Sequence, residues 1–333
     1  MNVQKNSTLE LFKLYTSYMV LFAHVPFYGE ISVVMDALTR YAIPFFFLIS
    51  GFYSYQITCE KIKKRIKNIL TLLITAIICY NIFEIATLLC WHTDDLGAFF
   101  NKYTDFGTYI NLVIFNAPVN FGHLWYLLAI FYVYVIFYFV TKFHVKDKII
   151  FTIALSLVFL HLILGEGLSV LGIKLPIMYV RNFALMGIPF FASGMFVKKY
   201  QHKFQAIPVY VILASVIIGG FGSLISRYFL GENEFHIGSL FILFAIVCTF
   251  IKYKDVKYPS FLTALEGCST YIYIFHILIS SAIYIAYSIL GINIYSSVFT
   301  ENLHPIIVCI SSTIFSYFLI KILKIFKKSK KQH

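Results

Sequence analysis

The sequence contains few charged residues and none of the short motifs typical of soluble enzymes. Asp, Glu, Lys and Arg together make up 13% of its 333 residues. The chain has no Walker loop, no GxSxG nucleophile motif, no HExxH zinc motif and no GxGxxG dinucleotide loop. Its six cysteines include no CxxC pair, and its ten histidines show no metal-ligand spacing. These absences argue against soluble hydrolases, nucleotidases and dehydrogenases, and we expect no bound metal.

What the chain has in abundance is apolar surface. Hydrophobic residues make up 60% of the sequence, and the mean hydropathy is +0.81, which is typical of a polytopic membrane protein. Windows of about 20 residues, enough to cross a bilayer, can be read at 9–27, 33–57, 69–91, 121–141, 149–165, 181–197, 207–229, 236–252, 270–290 and 305–326. We therefore predict an all-α bundle of about ten transmembrane helices. Residues 1–333 would form a single domain with a basic tail at about 327–333.

The basic residues predict the orientation of this bundle. Most of the 27 Lys and Arg residues lie near the chain ends and in alternate loops, which face one side if there are ten helices. The positive-inside rule then puts both termini in the cytoplasm. The net charge of +12 is thus a topology signal and gives no support to nucleic-acid binding.

Lys13 and His24 lie in the first apolar window with ten residues between them. On an α-helix this spacing brings both side chains to within about 20° of one face, with roughly 16 Å of rise between them. Ionisable side chains inside a membrane are costly and indicate a functional site. Alternatively, Lys13 snorkels to the headgroups and His24 makes one internal hydrogen bond. Glu10, three residues before Lys13, allows an ion pair that lowers the cost of burial.

Further polar groups are predicted near the outer ends of other helices. Arg40, His123, Trp125 and Arg181 would lie at the same outward depth as His24 if their helices are neighbours. A substrate from outside the cell could be bound at that depth. The alternatives are structural, since His123 and Trp125 could anchor the chain at the interface and Arg181 could snorkel outward.

Five motifs in order carry a resemblance to a known family. They are Glu10-Leu-Phe-Lys13 with His24, PFFFLISGF at 44–52, HLWYL at 123–127, IPFFASGMF at 188–196 and YIYIFH at 271–276. Together they resemble the acyltransferase family 3 membrane proteins, ten-helix enzymes that O-acylate bacterial envelope glycans. The resemblance implies that Lys13 and His24 are essential. It also links Arg65 to the acyl-coenzyme A (acyl-CoA) donor, although Asn68 stands where a second arginine is often found.

Physical chemistry supports the same reading. Coenzyme A is cytoplasmic and polyanionic, and a basic cluster that includes Lys61, Lys64 and Arg65 offers charge for its phosphates. A histidine such as His24 can take the proton from a sugar hydroxyl as that oxygen attacks a thioester, which typically contributes about 10²–10⁴-fold in rate. Direct transfer of this kind is preferred, and an acyl-histidine intermediate stays open.

We therefore expect a multi-pass protein of a bacterial plasma membrane. Its activity would be that of an acyltransferase that transfers groups other than amino-acyl groups. It would move an acyl group, most often acetyl, from acyl-CoA to a hydroxyl of an envelope polysaccharide or glycolipid precursor. Two other function classes remain open. The polar stripe could line the path of a sugar or lipid transporter or flippase, or the bundle could be a membrane sensing or amino-acid-binding module.

Overall fold

The computed structural model describes residues 6–91 and 96–329. Helices account for 81% of it, and no strand occurs in the described residues, which confirms the all-α class. The predicted basic tail lies outside the described residues from position 330 onward. Its separate role and the single-domain organisation stay predictions.

Seventeen α-helices can be followed along the described chain. Their bounds are α1 Ser7–His24, α2 Glu30–Thr39, α3 Ala42–Phe52, α4 Cys59–Trp91, α5 Leu96–Asn101, α6 Phe106–Phe115, α7 Trp125–Lys142, α8 Asp147–Leu162, α9 Leu168–Val170, α10 Ile177–Val180, α11 Ile188–Lys199, α12 Gln201–Ala206, α13 Val209–Leu230, α14 Ile237–Lys252, α15 Ser260–Ala264, α16 Cys268–Ile289 and α17 Val298–Ser329. One-turn π segments join α8 to α9 at Ile163–Gly167 and precede α11 at Phe183–Gly187.

Eight helical segments of the described chain are long and apolar enough to cross a bilayer. Four of these segments are the single helices α4, α13, α16 and α17, and a fifth is α7 with the 3-10 turn Gly122–Leu124 before it. The other three are composite spans, formed by α2 with α3, by α8 with α9, and by α10 with α11. The two remaining predicted windows correspond to α1, which has 18 residues and carries polar side chains, and to α14, which has 16 residues. A bundle of roughly ten helices is therefore consistent with the structure. The cytoplasmic placement of the termini stays a prediction.

The chain divides into two compact units. The first unit comprises Met1–Ala42, His202–Phe229 and Ile237–His333, and the second comprises Ile43–Gln201 and Leu230–His236.

In the first unit, α1 packs against α16 and α17. Their shared core contains Leu14, Leu21, Val25, Cys268, Ile272 and Val308. The start of α1 is held near the segment that precedes α16, because Thr8 Oγ1 donates to the Tyr253 carbonyl oxygen at 2.5 Å and lies 3.1 Å from the Tyr258 hydroxyl. His24, at the other end of α1, lies beside His276 of α16, nine residues into that helix, so the two helices run parallel.

In the second unit, α3 and α11 approach each other at glycine residues of two sequence motifs. A Cβ atom built on Gly51 would lie 1.7 Å from the Phe191 carbonyl oxygen, and one built on Gly194 would lie 1.8 Å from the Leu48 carbonyl oxygen. Side chains larger than hydrogen do not fit at either position. Gly51 and Gly194 thus serve close helix packing, as small residues do in membrane helices.

Candidate active site

The first turns of α1 carry the predicted ion pair. The Asn6 side chain caps the helix by accepting a hydrogen bond from the Leu9 amide at 2.9 Å. One turn further on, Lys13 Nζ donates to Glu10 Oε1 at 2.7 Å, and their side chains are 26% and 18% exposed. The pairing of Glu10 with Lys13 is thus confirmed. Lys13 is partly buried, with about a quarter of its side-chain surface exposed.

His24 is the last residue of α1, and its side chain is exposed. This exposure gives a reacting molecule access to the ring. Its ring centroid lies 5.4 Å from that of His276 on α16, with an angle of 35° between the two planes. His276 itself is completely buried.

The backbone around His276 determines which of its ring nitrogens carries hydrogen. Nδ1 lies 2.8 Å from the Tyr273 carbonyl oxygen and 3.1 Å from that of Ile272. Carbonyl oxygens only accept hydrogen bonds, so Nδ1 is the donor and Nε2 is the acceptor nitrogen of the neutral ring. His276 is thus a buried histidine that is hydrogen-bonded within its own helix. Its contact with His24 was not foreseen, since residues 252 positions apart are brought together only by helix packing.

The contact between the two histidines also shows how far along α16 the end of α1 reaches. His276 is the ninth of the 22 residues of α16, about 12 Å from the start of that helix and about 20 Å from its end. His24 therefore lies beside the interior of a membrane-spanning helix.

Arg40 follows α2 and is joined to a carboxylate on that helix. Its guanidinium donates to Asp36 Oδ1, while Arg227 Nε of α13 donates to Asp36 Oδ2 at 2.6 Å. Arg40 and Arg227 remain 19% and 17% exposed. The sequence predicts Arg40 as a substrate contact, but it does not indicate the roles of Asp36 and Arg227. Arg40 and Arg227 place two cations on the single carboxylate of Asp36.

Arg65, on the second turn of α4, is engaged with protein acceptors. Its Nη1 donates to Ser54 Oγ at 2.6 Å and to the Tyr134 hydroxyl at 3.0 Å, and Nη2 donates to the Tyr53 carbonyl oxygen at 2.8 Å. These bonds hold the segment after α3 against α4 and α7. Lys61 and Lys64, on the same helix, are exposed. Of the three predicted donor-binding residues, the two lysines are thus the more accessible to an anion.

His123, Trp125 and Arg181 lie in the second unit. His123 and Trp125 are 7% and 4% exposed, so neither is an exposed interfacial anchor. The Arg181 guanidinium lies over the Trp125 ring at 5.6 Å from its centroid, and Arg181 Nε lies 3.9 Å from Glu234 Oε2. The His123 ring packs 4.8 Å from the ring of Tyr80. The structure therefore brings Trp125 and Arg181 together.

One buried ionisable pair was missed by sequence reasoning. Glu166 lies in the π segment Ile163–Gly167 and is 8% exposed. Its Oε1 is hydrogen-bonded to His236 Nδ1 at 2.9 Å, and His236 is fully buried. The window 149–165 ended one residue too early to include this glutamate, although a carboxylate within a span is a usable signal. Within residues 6–91 and 96–329, no three His, Cys, Asp or Glu side chains are placed to hold a metal ion.

The fold and these side chains define an integral membrane protein with ionisable groups on its spanning helices. The chain belongs to acyltransferase family 3, since the family model described as an acyltransferase domain matches residues 6–321. It is accordingly a membrane acyltransferase. No curated protein and no solved structure matches the chain.

Proposed function

We propose that this protein transfers an acyl group, most often acetyl, from cytoplasmic acyl-CoA to a hydroxyl of a bacterial envelope polysaccharide or glycolipid precursor. Membership of the acyltransferase family supports the reaction class. The observation that carries the mechanism is the contact of an exposed histidine, His24, with a buried one, His276.

His24 acts as the general base in this proposal. It takes the proton of the acceptor hydroxyl as the oxygen attacks the thioester carbonyl, and a tetrahedral intermediate forms. Collapse of the intermediate breaks the carbon–sulfur bond, and His24 returns the proton to the departing coenzyme A thiolate. The products are an ester and free thiol, and no covalent enzyme intermediate is needed.

His276 is proposed to position His24. Because Nδ1 of His276 is fixed as a donor to backbone carbonyls, its Nε2 can accept a hydrogen bond from the His24 ring. That bond leaves the other nitrogen of His24 free of hydrogen and ready to accept the hydroxyl proton. Orientation of a base by a second group follows the logic of other acyl-transfer sites.

The donor enters, in this proposal, from the end of α1 that carries Lys13. Lys13 orients the arm that leads toward His24. In the second unit, considered by itself, Lys61 and Lys64 offer exposed charge that can attract the phosphates of coenzyme A. Arg65 contributes by holding Tyr53 and Ser54 in place, since its hydrogen bonds are directed to protein atoms.

The acceptor is proposed to contact Arg40, which lies in the same unit as His24. Arg40 keeps 19% of its side-chain surface exposed, so it can donate to sugar oxygens. In the second unit, considered by itself, Arg181 keeps 25% of its side-chain surface exposed and has the same capacity. Trp125 is buried beneath Arg181 and would fix the direction of that guanidinium through a cation–π contact. His123, also buried in that unit, would support Trp125.

Transfer of labelled acetyl from acetyl-CoA tests the proposal. Purified protein is mixed with envelope vesicles of the expressing cells, and both free thiol and label in the glycan fraction are measured. His24→Ala should abolish both signals, because a general base contributes about 10²–10⁴-fold. His202→Ala, which removes an exposed histidine on α12, serves as the matched control and should be fully active.

Two results would contradict the assignment. Retention by His24→Ala of more than about a tenth of the activity is incompatible with a general base. If the wild-type protein releases no thiol under any condition, the transporter, flippase or sensing alternatives are favoured instead.

A further inference from the structure

A groove with a volume of about 610 Å³ runs between α8 and α11 in the second unit. Its walls are apolar and include Phe151, Leu155, Val158 and Phe196. A volume of this size is within the range of sites that hold an extended organic ligand. None of the residues proposed for acyl transfer lines this groove.

The groove has one charged end and one apolar end. Asp147, Lys148 and Lys199 line one end, called the mouth below, whereas Val158 lies at the other end of the α8 wall. From position 147 to position 158 the helix rises about 16 Å. The hydrocarbon core of a bilayer is about 30 Å thick, so the groove matches one leaflet in depth.

The mouth carries an excess of positive charge. Lys199 Nζ donates to Asp147 Oδ2 at 2.6 Å, and the Tyr55 hydroxyl donates to the same oxygen at 3.1 Å. The aspartate is therefore engaged by two donors, and Lys148 beside it is an exposed cation. An anion at the mouth can contact both lysines without an unpaired acidic group nearby.

We propose that this groove binds one anionic phospholipid of the surrounding bilayer. The lipid phosphate contacts Lys148 and Lys199, and one acyl chain lies along α8 between Phe151, Leu155 and Phe196. Basic pockets between transmembrane helices at the cytoplasmic side commonly bind anionic headgroups. The predicted orientation puts this end in the cytoplasmic leaflet, because it lies in a lysine-rich loop region.

Native mass spectrometry of the detergent-purified full chain tests the proposal. The probes are dioleoylphosphatidylglycerol and dioleoylphosphatidylcholine, which share acyl chains and differ in net charge. The anionic lipid should bind with a one-to-one stoichiometry and more tightly than the zwitterionic one. A phosphatidylglycerol with a photoreactive group in one acyl chain should label peptides that cover 147–158 and 192–200.

Variants separate the headgroup contact from the tail contact. Lys148→Ala should weaken binding of phosphatidylglycerol roughly fivefold, the factor expected for one lysine facing an anionic headgroup, and should leave phosphatidylcholine unaffected. Lys254→Ala, at an exposed lysine outside the groove, is its control. Ser193→Phe fills the groove and should weaken both lipids and remove the crosslinks. Ile153→Phe, on the lipid-facing side of α8 and 51% exposed, should change nothing.

Thr152→Phe, at an exposed position that also lines the groove, provides a second filling variant if Ser193→Phe does not fold. Equal binding of the two lipids, or crosslinks that fall outside the two peptides, would overturn the proposal. Displacement of the lipid by palmitoyl-coenzyme A at equimolar concentration would also overturn it, because the groove would then belong to the acyl donor. Lipid binding is measured without acyl transfer, so the activity of His24→Ala does not affect these outcomes.

Discussion

The close approach of α3 and α11 predicts a large effect of adding one methyl group. In Gly51→Ala the new Cβ would lie 1.7 Å from the Phe191 carbonyl oxygen, and in Gly194→Ala it would lie 1.8 Å from that of Leu48. Ordinary contacts begin at 3.4 Å. The obstructing atoms belong to the backbone and cannot turn aside, so the helices must separate by about 1.7 Å.

Two opposing effects determine the size of the destabilisation. Alanine is favoured over glycine within a helix by about 1 kcal/mol. Overpacking usually costs about 1–3 kcal/mol and sometimes more, and a radial gap of about 1 Å already forfeits up to half of the dispersion attraction across it. With a rigid backbone obstacle the upper end of that range applies. We therefore expect Gly51→Ala to lose at least about 2 kcal/mol of stability after the helix-propensity gain is subtracted.

Thermal unfolding of the detergent-purified protein measures this effect. Gly51→Ala and Gly194→Ala should each lower the Tm, and the double variant should lower it by less than the sum, since one separation of the helices relieves both clashes. Gly220→Ala is the control, because Gly220 lies within α13 and no atom is within 4 Å of its Cβ position. A Gly51→Ala protein with an unchanged or raised Tm would refute the inferred contact between α3 and α11.

Three further predictions concern the charged residues. Lys13→Ala should lower both kcat and Tm because Glu10 loses its ion-pair partner, and Lys13→Arg should restore most of each. If Lys13→Ala alters neither quantity, the functional interpretation of α1 fails. Arg65→Ala should lower the Tm more clearly than it raises the KM for acetyl-CoA, since the guanidinium bonds to three protein acceptors; a raised KM at unchanged Tm would instead indicate direct phosphate contact. In a background without native cysteines, a thiol reagent that does not cross the membrane should label Lys61→Cys only from inside the cell. It should label Phe106→Cys, at a position 76% exposed, only from outside. Labelling of both positions from the same side would contradict the predicted orientation.

Local features of the site could be predicted from the sequence. Glu10 and Lys13 are three residues apart on one helix, so their pairing depends on helix geometry alone and is found as expected. Gly51 follows Ser50 within an apolar helix, and such a small-residue pair favours close helix packing. The all-α class follows from apolar windows of bilayer length, which is a strong constraint on any chain.

Contacts between distant segments could not be predicted in the same way. The meeting of His24 with His276, and of Arg227 with Asp36, depends on which helices are neighbours and in what register they pack. Hydropathy windows carry no information on either point. Arg65 shows a related difficulty, because the charge of a residue alone does not distinguish a ligand contact from a hydrogen bond within the protein.

The parallel packing of α1 and α16 explains why a cation and a histidine are separated by ten residues. His24 lies level with His276, about 12 Å beyond the start of α16, and Lys13 lies about 16 Å below His24 along α1. Lys13 is therefore near the level at which α16 begins, where an ammonium group can reach the interface. One helix thus carries a cation and, three turns further along, a histidine. The acyl-CoA donor of the proposed mechanism would need such a spacing, because its phosphates would stay near the interface while its thioester reaches His24, the proposed base.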